Sequence, residues 1–265
     1  MNESLQLFRE MLAESGPLGV AYIIVSALIV IMGIVCLVLE IRVWIRYSKA
    51  NKVGISCEMS GLEAARYVLD QSGLQHVKVR RAGFIREGLF GNYYNVLTKT
   101  IYLRSWLGKI DKKRTVTAVA LGVQKAALAR MCEEGDRQAQ VRGSLSLLGI
   151  FGPVLFIPVV LIGALIDVML MNSITAISYI SMAAGFLLLV AGFIVTMLNI
   201  PVEKRANALA LRMMGEYGLA SDEELQMMKE VFDAYILSYI AQFILQVLRV
   251  VQWVLEIAIK IKKDD

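Results

Sequence analysis

Long stretches of this chain carry no charged side chain, among them residues 15–39 and residues 143–166. Because an α-helix rises ~1.5 Å per residue, either stretch is long enough to cross a hydrocarbon layer of ~30 Å. The whole chain is 57% hydrophobic and only 19% charged, with a mean hydropathy of +0.60. These values exclude a soluble enzyme, a disordered chain and a secreted disulfide scaffold. The sequence predicts an integral membrane protein.

The apolar stretches divide into about four predicted membrane helices. The first is predicted at residues 18–41, and residues 144–200 are long enough for a hairpin of two helices. Met171 to Ser173, which include a polar Asn and Ser, are predicted to form the turn of this hairpin. Pro201 is predicted to end its second helix. The fourth apolar segment lies within residues 234–265.

The short N-terminal segment, residues 1–17, argues against a cleaved signal peptide. A signal peptide begins with a basic region, whereas this segment has three glutamates and one arginine. The first apolar helix is therefore predicted to be a retained anchor.

The fourth segment carries a polar stripe at helical spacing. Its four members are Gln242, Gln246, Arg249 and Glu256. They share one helix face, and an arginine facing lipid costs ~2.5–3.5 kcal/mol. Two interpretations stay open: a membrane-spanning helix whose stripe contacts other helices, which we favour, or a helix lying in the membrane interface.

The charges predict an orientation. Residues 42–143 contain 19 Lys and Arg but only 8 Asp and Glu. Since positively charged loops stay in the cytoplasm, this region is predicted to be cytoplasmic and the N-terminus external. The lysines after residue 259 would then lie outside if the fourth segment spans, which conflicts with the same rule.

Two regions between the apolar segments have the pattern of soluble structure. Residues 42–143 predict a small α+β domain, with a helix capped by Ser60 and Glu63, a strand from His76, a hairpin and a helix at residues 112–132. Residues 201–233 predict cytoplasmic helices, the last of them capped by Ser221.

The order of these pieces resembles the YugP-type membrane zinc metallopeptidases of bacteria. The stretches that carry the resemblance are residues 61–70 with 72–74, residues 100–104, residues 115–127, and residues 201–203 followed by Ala206, Ala210 and Leu211. The resemblance covers nearly the whole chain and implies a zincin-like α+β domain. It also implies a multi-pass protein of the bacterial cytoplasmic membrane.

In that family, the helix corresponding to residues 115–127 carries a His-Glu-x-x-His zinc motif. The resemblance places Leu121, Gly122 and Lys125 at its histidine, glutamate and histidine positions, so both histidines and the general base are absent. It places the third zinc ligand at Glu203, which is retained. The family's polar Asp-His-Tyr-Asp-Pro loop corresponds to residues 91–95, which keep only a tyrosine. We therefore expect no zinc and no other cofactor.

Two residues could stand in for the lost site. His76 is the only histidine and could replace a ligand, although a solvent-facing strand histidine is the preferred interpretation. Glu203 could pair with Lys125 where the metal would sit, or with Lys204 or Arg205 at the membrane edge. The sequence leaves both questions open.

These expectations lead to a hypothesis about function. The chain is predicted to be a catalytically inactive homologue, not an enzyme, that acts as scaffold, adaptor or regulator of a membrane protein complex. The alternatives are an active membrane hydrolase with a non-standard site and a small transporter or channel component. Expected partners are membrane lipids and another membrane protein or a second copy of the chain. Nucleic acid is not expected, because no base-stacking aromatic pattern accompanies the basic charge.

Overall fold

The computed structural model describes the backbone of residues 2–171 and 176–264, and most side chains between residues 16 and 259. The predicted hairpin turn falls largely on residues 172–173, which lie outside the described residues. The elements are α1 (Asn2–Ala50), α2 (Gly61–Gln71), β1 (Lys78–Arg81), α3 (Phe84–Phe90), β2 (Tyr93–Asn95), β3 (Thr100–Leu103), α4 (Val116–Glu133), α5 (Arg137–Ser144), α6 (Ser146–Met171), α7 (Ala176–Glu216) and α8 (Asp222–Asp264).

Helices dominate the architecture, and three of the described helices are long and apolar enough to cross a membrane. They are Gly16–Ala50, Ala176–Glu216 and Asp222–Glu256. The apolar part of α6, Leu155–Leu170, is shorter. The chain is thus a helical membrane protein, while the membrane helix predicted for the first half of the hairpin, which α6 forms, stays a prediction.

Two of the long helices contain a residue that disturbs regular helical geometry or hydrogen bonding. The long helix α1 is interrupted at Gly16, whose φ of 60° and ψ of −154° lie outside the helical range, next to Pro17. The prediction that Pro201 ends a helix is wrong, because α7 continues through it. Proline keeps φ in the helical range and removes one backbone hydrogen bond, which a long helix with packed neighbours tolerates.

A small sheet supports the soluble region. Its strand order is β1-β3-β2, with β1 parallel and β2 antiparallel to β3. The predicted β2–β3 hairpin is confirmed. The first strand begins at Lys78 instead of His76, so His76 lies in the preceding turn.

Helix α4 is the centre of the core, with 15 of its 18 residues buried. It crosses α2 at a pair of glycines: a Cβ at Gly122 would lie 2.1 Å from the Gly61 carbonyl oxygen. A Cβ at Gly61 would in turn lie 2.4 Å from the Ala118 carbonyl oxygen. The helix backbones therefore touch, and neither position accepts a side chain without moving a helix.

The chain divides into two compact units. The first comprises Met1–Ile45 and Ala234–Asp265, and the second comprises Arg46–Asp233. The second unit contains the sheet, helices α2 to α7 and the start of α8. The last residues of α1 also belong to this second unit.

Candidate functional site

A buried carboxylate on α7 is the centre of the candidate site. Glu203 is 5% exposed and faces α4 and α5. The Lys125 Nζ of α4 lies 3.5 Å from its Oε1. Of the cationic partners that the sequence left open, the structure pairs Glu203 with Lys125. Arg205 instead pairs with Asp136, at 3.1 Å between Nη2 and Oδ2.

Two further side chains bind the same carboxylate. Arg142 of α5 donates from Nη2 to Glu203 Oε1 at 2.5 Å, and Gln124 of α4 donates from Nε2 to Glu203 Oε2. Arg142 also donates from Nε to Asn199 Oδ1 at 2.5 Å. We call Gln124, Lys125, Arg142, Asn199 and Glu203 the Glu203 cluster. It joins α4, α5 and α7 through a single carboxylate.

The electrostatics of the Glu203 cluster are set by burial. Lys125 is 8% exposed, and burial lowers the pKa of its ammonium group. The Glu203 carboxylate opposes this shift of the Lys125 pKa, whereas the Arg142 guanidinium adds to it. Charged Lys125 therefore depends on Glu203, because an unpaired buried ammonium would lose its proton or be expelled.

The cluster does not fit a zinc ion. Zinc in proteins binds imidazole, thiolate and carboxylate, and an ammonium or guanidinium group offers it no lone pair. Both oxygens of Glu203 already accept hydrogen bonds from the surrounding cations and amide. Within the part of the chain that the structure describes, no group of three or more His, Cys, Asp and Glu residues could hold a metal ion.

The three motif positions assigned from the resemblance are not equivalent in the structure. Lys125 contacts Glu203, but Gly122 packs against the Gly61 backbone and Leu121 is half-buried. Sequence reasoning missed Gln124 and Arg142. Gln124 precedes Lys125 directly, so the pairing of Lys125 with Glu203 could have pointed to it, whereas nothing local marks Arg142.

His76 belongs to a second, exposed cluster around Glu133. Its Nε2 lies 2.9 Å from Glu133 Oε2, which also accepts from Lys99 Nζ at 2.7 Å. Tyr94 donates its hydroxyl to Glu133 Oε1 at 3.0 Å. Burial raises the pKa of Glu133, but these three donors outweigh it and hold the pKa below its ordinary value. Among the described residues, the His76 ring contacts one carboxylate, that of Glu133, and belongs to no group of three metal-binding side chains.

The polar stripe on α8 is only partly engaged. Gln242 donates to Glu40 Oε1 on α1 at 2.7 Å, beside Ser238, which donates to the same oxygen at 2.5 Å. Gln246 and Arg249 are exposed, and Glu256 is half-buried. A further contact joins Gln252 Nε2 to Ser26 Oγ at 2.9 Å. Of these α1–α8 contacts, only Gln242 was among the residues expected from the sequence.

Comparison with known protein families gives one match. The model of a family described as "putative neutral zinc metallopeptidase" matches residues 23–258, which is most of the chain. No curated protein and no solved structure matches. The prediction that this chain is not an enzyme is contradicted by the family match, because the family is one of peptidases. The lost motif residues led to that prediction, and family membership overturns it.

Proposed function

We propose, from the premise that the chain belongs to the neutral zinc metallopeptidase family, that it serves as a scaffold or adaptor within a membrane protein complex. The observation that carries the proposal is the Glu203 cluster. Two cations and an amide satisfy the carboxylate and tie three helices together. Internal ion pairs of this kind hold α4, α5 and α7 of the second unit together without a metal.

The partner surface in this proposal is the exposed part of the polar stripe, Gln246 and Arg249. Gln242 in the same stripe already contacts α1, which supports a role for this face in helix contacts. Polar side chains in a membrane helix are costly toward lipid, and glutamine hydrogen bonds between helices are worth about 0.6 kcal/mol each. The stripe would therefore orient a partner helix more than it would strengthen its binding.

The test is purification in a gentle detergent from the native membrane. The wild-type chain should carry a stoichiometric membrane protein, or a second copy of itself. The double variant Gln246→Leu/Arg249→Leu should lose it. The matched control is Gln71→Leu/Arg212→Leu, which changes two exposed polar residues of the second unit. Retention of the partner by the stripe variant, or loss from both variants, would remove the stripe as the partner surface.

Peptide hydrolysis is a second candidate function, and the family match favours it. A peptidase of this fold would need a water-activating group away from Glu203, since the cluster leaves that carboxylate no free oxygen. Cleavage of an unstructured protein by the purified chain, unchanged in a Glu203→Gln variant, would support hydrolysis at another site. Loss of cleavage in that variant would place the chemistry at Glu203.

The geometry also supports a different position for the family's motif. We infer that the His-Glu-x-x-His positions correspond to Gln124, Lys125 and Leu128, three residues later than the resemblance suggested. Gln124 contacts Glu203, and Leu128 lies one helical turn further on the same face. By contrast, position 122 has no space for a glutamate.

Two restored variants test this assignment. Gln124→His/Lys125→Glu/Leu128→His should bind zinc together with Glu203. Leu121→His/Gly122→Glu/Lys125→His should unfold or bind none. Zinc bound by the second variant and not by the first would reverse the assignment. The readouts are zinc per chain and thermal unfolding, so neither depends on peptidase activity.

A further inference from the structure

The soluble part of the second unit exposes a cluster of large apolar side chains that its core does not use. On α3, Phe84, Ile85 and Leu89 are 66%, 74% and 46% exposed. In the loop after β3, Trp106 and Leu107 are 66% and 60% exposed. Large apolar side chains that are exposed close together mark a candidate interaction site. We call these five residues the apolar patch.

Contacts between α3 and the loop after β3 join the two parts of the apolar patch. The Phe84 and Trp106 rings meet edge to face with centroids 5.9 Å apart. Glu87, which is 1% exposed on the inner side of α3, accepts backbone N–H bonds from Ser105, Trp106 and Leu107. Because this carboxylate fixes the loop to the helix, the apolar side chains are held outward and do not collapse onto the domain.

Three cationic residues lie close to the apolar patch along the chain. Arg86 lies on α3 itself and places its guanidinium 5.2 Å from the Tyr102 ring centroid. Arg104 and Lys109 flank the Trp106 loop on either side, and all three cations are exposed. Apolar side chains next to arginine and lysine can bind at the membrane interface, where the apolar groups contact acyl chains and the cations contact anionic headgroups.

The fold places this loop beside the end of a membrane helix. Gly108 adopts a φ of +91°, and a Cβ there would lie 3.4 Å from the Tyr47 hydroxyl. Tyr47 lies near the C-terminal end of α1. The Gly16–Ala50 part of that helix is long and apolar enough to span a membrane. The loop is therefore adjacent to the point at which the chain leaves the apolar layer.

A second turn shows the same association. Leu97, in the β2–β3 turn, is 84% exposed. Its neighbour Val96 packs against Gly143, where a Cβ would lie 2.2 Å from Val96 Cγ2. Gly143 lies near the end of α5, three residues before α6 begins at Ser146. Two exposed apolar loops thus each adjoin the end of an apolar helix.

We propose that the apolar patch inserts into the headgroup region of the same membrane, with Arg86, Arg104 and Lys109 contacting anionic lipid phosphates. The patch holds the soluble region against the bilayer surface. The surface so covered is a lipid interface, and this inference does not depend on the proposed scaffold function.

The test uses the full chain in nanodiscs, with Trp106 as the only tryptophan after Trp44→Phe and Trp253→Phe. In discs of phosphatidylcholine and phosphatidylglycerol, lipid carrying a doxyl group near the headgroup should quench Trp106, and aqueous iodide should not. Replacing phosphatidylglycerol by phosphatidylcholine should reduce the doxyl quenching. The reference is the same chain with Trp106→Phe and Gln71→Trp, since Gln71 is exposed at the end of α2.

Each outcome decides the proposal. Doxyl quenching of Trp106 with protection from iodide supports it. Iodide quenching of Trp106 as strong as that of the Gln71→Trp reference would overturn it, because the patch would then face water. Protection from both quenchers would also overturn it and would point to a protein partner or a second copy on the patch.

Discussion

At the scale of single residues, the buried carboxylate of Glu203 is the anion shared by two cations of the Glu203 cluster. Its carboxylate is shared by Lys125 and Arg142, so the three charges form one unit. A buried ion pair adds little net stability compared with apolar residues, but removing one partner leaves a costly unpaired charge. The carboxylate is thus more important to the fold than any one of its partners.

The first prediction concerns this asymmetry. Glu203→Leu should destabilise the chain by about 3–5 kcal/mol, because it leaves the buried Lys125 and the half-buried Arg142 without a counter-charge. Glu203→Leu with Lys125→Met should recover part of that loss, which thermal unfolding in detergent measures. The matched control, Lys204→Leu, changes the exposed neighbour and should leave the melting curve unchanged. A Glu203→Leu variant as stable as the control would contradict the ion-pair account.

Glu87 shows how a carboxylate can organise backbone. Burial would raise its pKa, but the N–H groups of Trp106, Ser105 and Leu107 outweigh this and hold the Glu87 pKa below its ordinary value. A carboxyl group with a lowered folded pKa stabilises the protein above its unfolded pKa of about 4.3. That contribution is lost as the pH falls through the folded pKa.

The second prediction concerns how the contribution of Glu87 to stability changes with pH. At neutral pH, Glu87→Gln should cost about 1.5–3 kcal/mol, since hydrogen bonds to a charged acceptor are lost. The difference from wild type should shrink as the pH falls below about 4. Denaturant titrations at several pH values measure this difference in stability. The control is Glu216→Gln, which removes an exposed ion pair with Arg212. A pH-independent difference would show that the Glu87 charge contributes nothing.

At the scale of secondary-structure elements, the sequence predicts local features such as helix caps but not the long-range packing of helices. The capping box of Ser60 and Glu63 and the cap by Ser221 form as predicted, because each involves residues three apart. The pairing of Arg142 with Glu203 joins residues 61 positions apart, and no local pattern encodes it. The crossing of α2 and α4 likewise depends on contact between Gly61 and Gly122. The sequence of either helix by itself does not predict this contact.

The third prediction tests that crossing. Gly122→Ala should destabilise the chain by about 1–3 kcal/mol, because its Cβ would overlap the Gly61 carbonyl oxygen. Gly88→Ala, in α3, meets no atom within 4 Å and should be neutral or stabilising by up to about 1 kcal/mol. Chemical denaturation of both variants measures the contrast. Equal stabilities would mean that the two helices separate at no cost.

At the scale of the whole molecule, the charge distribution predicts that residues 42–143 face the cytoplasm. The structure shows which probes suit this question. Cys132 is 3% exposed, and burial raises the pKa of its thiol to about 11, so it is a poor target for maleimide. Leu97 is 84% exposed and offers a better position.

The fourth prediction uses that position. In a chain whose three native cysteines are replaced by serine, Leu97→Cys should resist a membrane-impermeant maleimide in intact cells. It should react after the cells are permeabilised. Cysteine introduced at Asn2 serves as the opposite control, expected outside. Labelling of Leu97→Cys in intact cells would reverse the orientation.

We infer that Lys125 and Arg142 lie at the position where the family would hold its metal. Elemental analysis of the full chain, purified from membranes and washed with a weak chelator, tests it most directly. The account predicts far less than one zinc per chain, unchanged by Glu203→Gln. About one zinc per chain that Glu203→Gln removes would contradict it, because the carboxylate would then be a metal ligand and not the partner of Lys125 and Arg142.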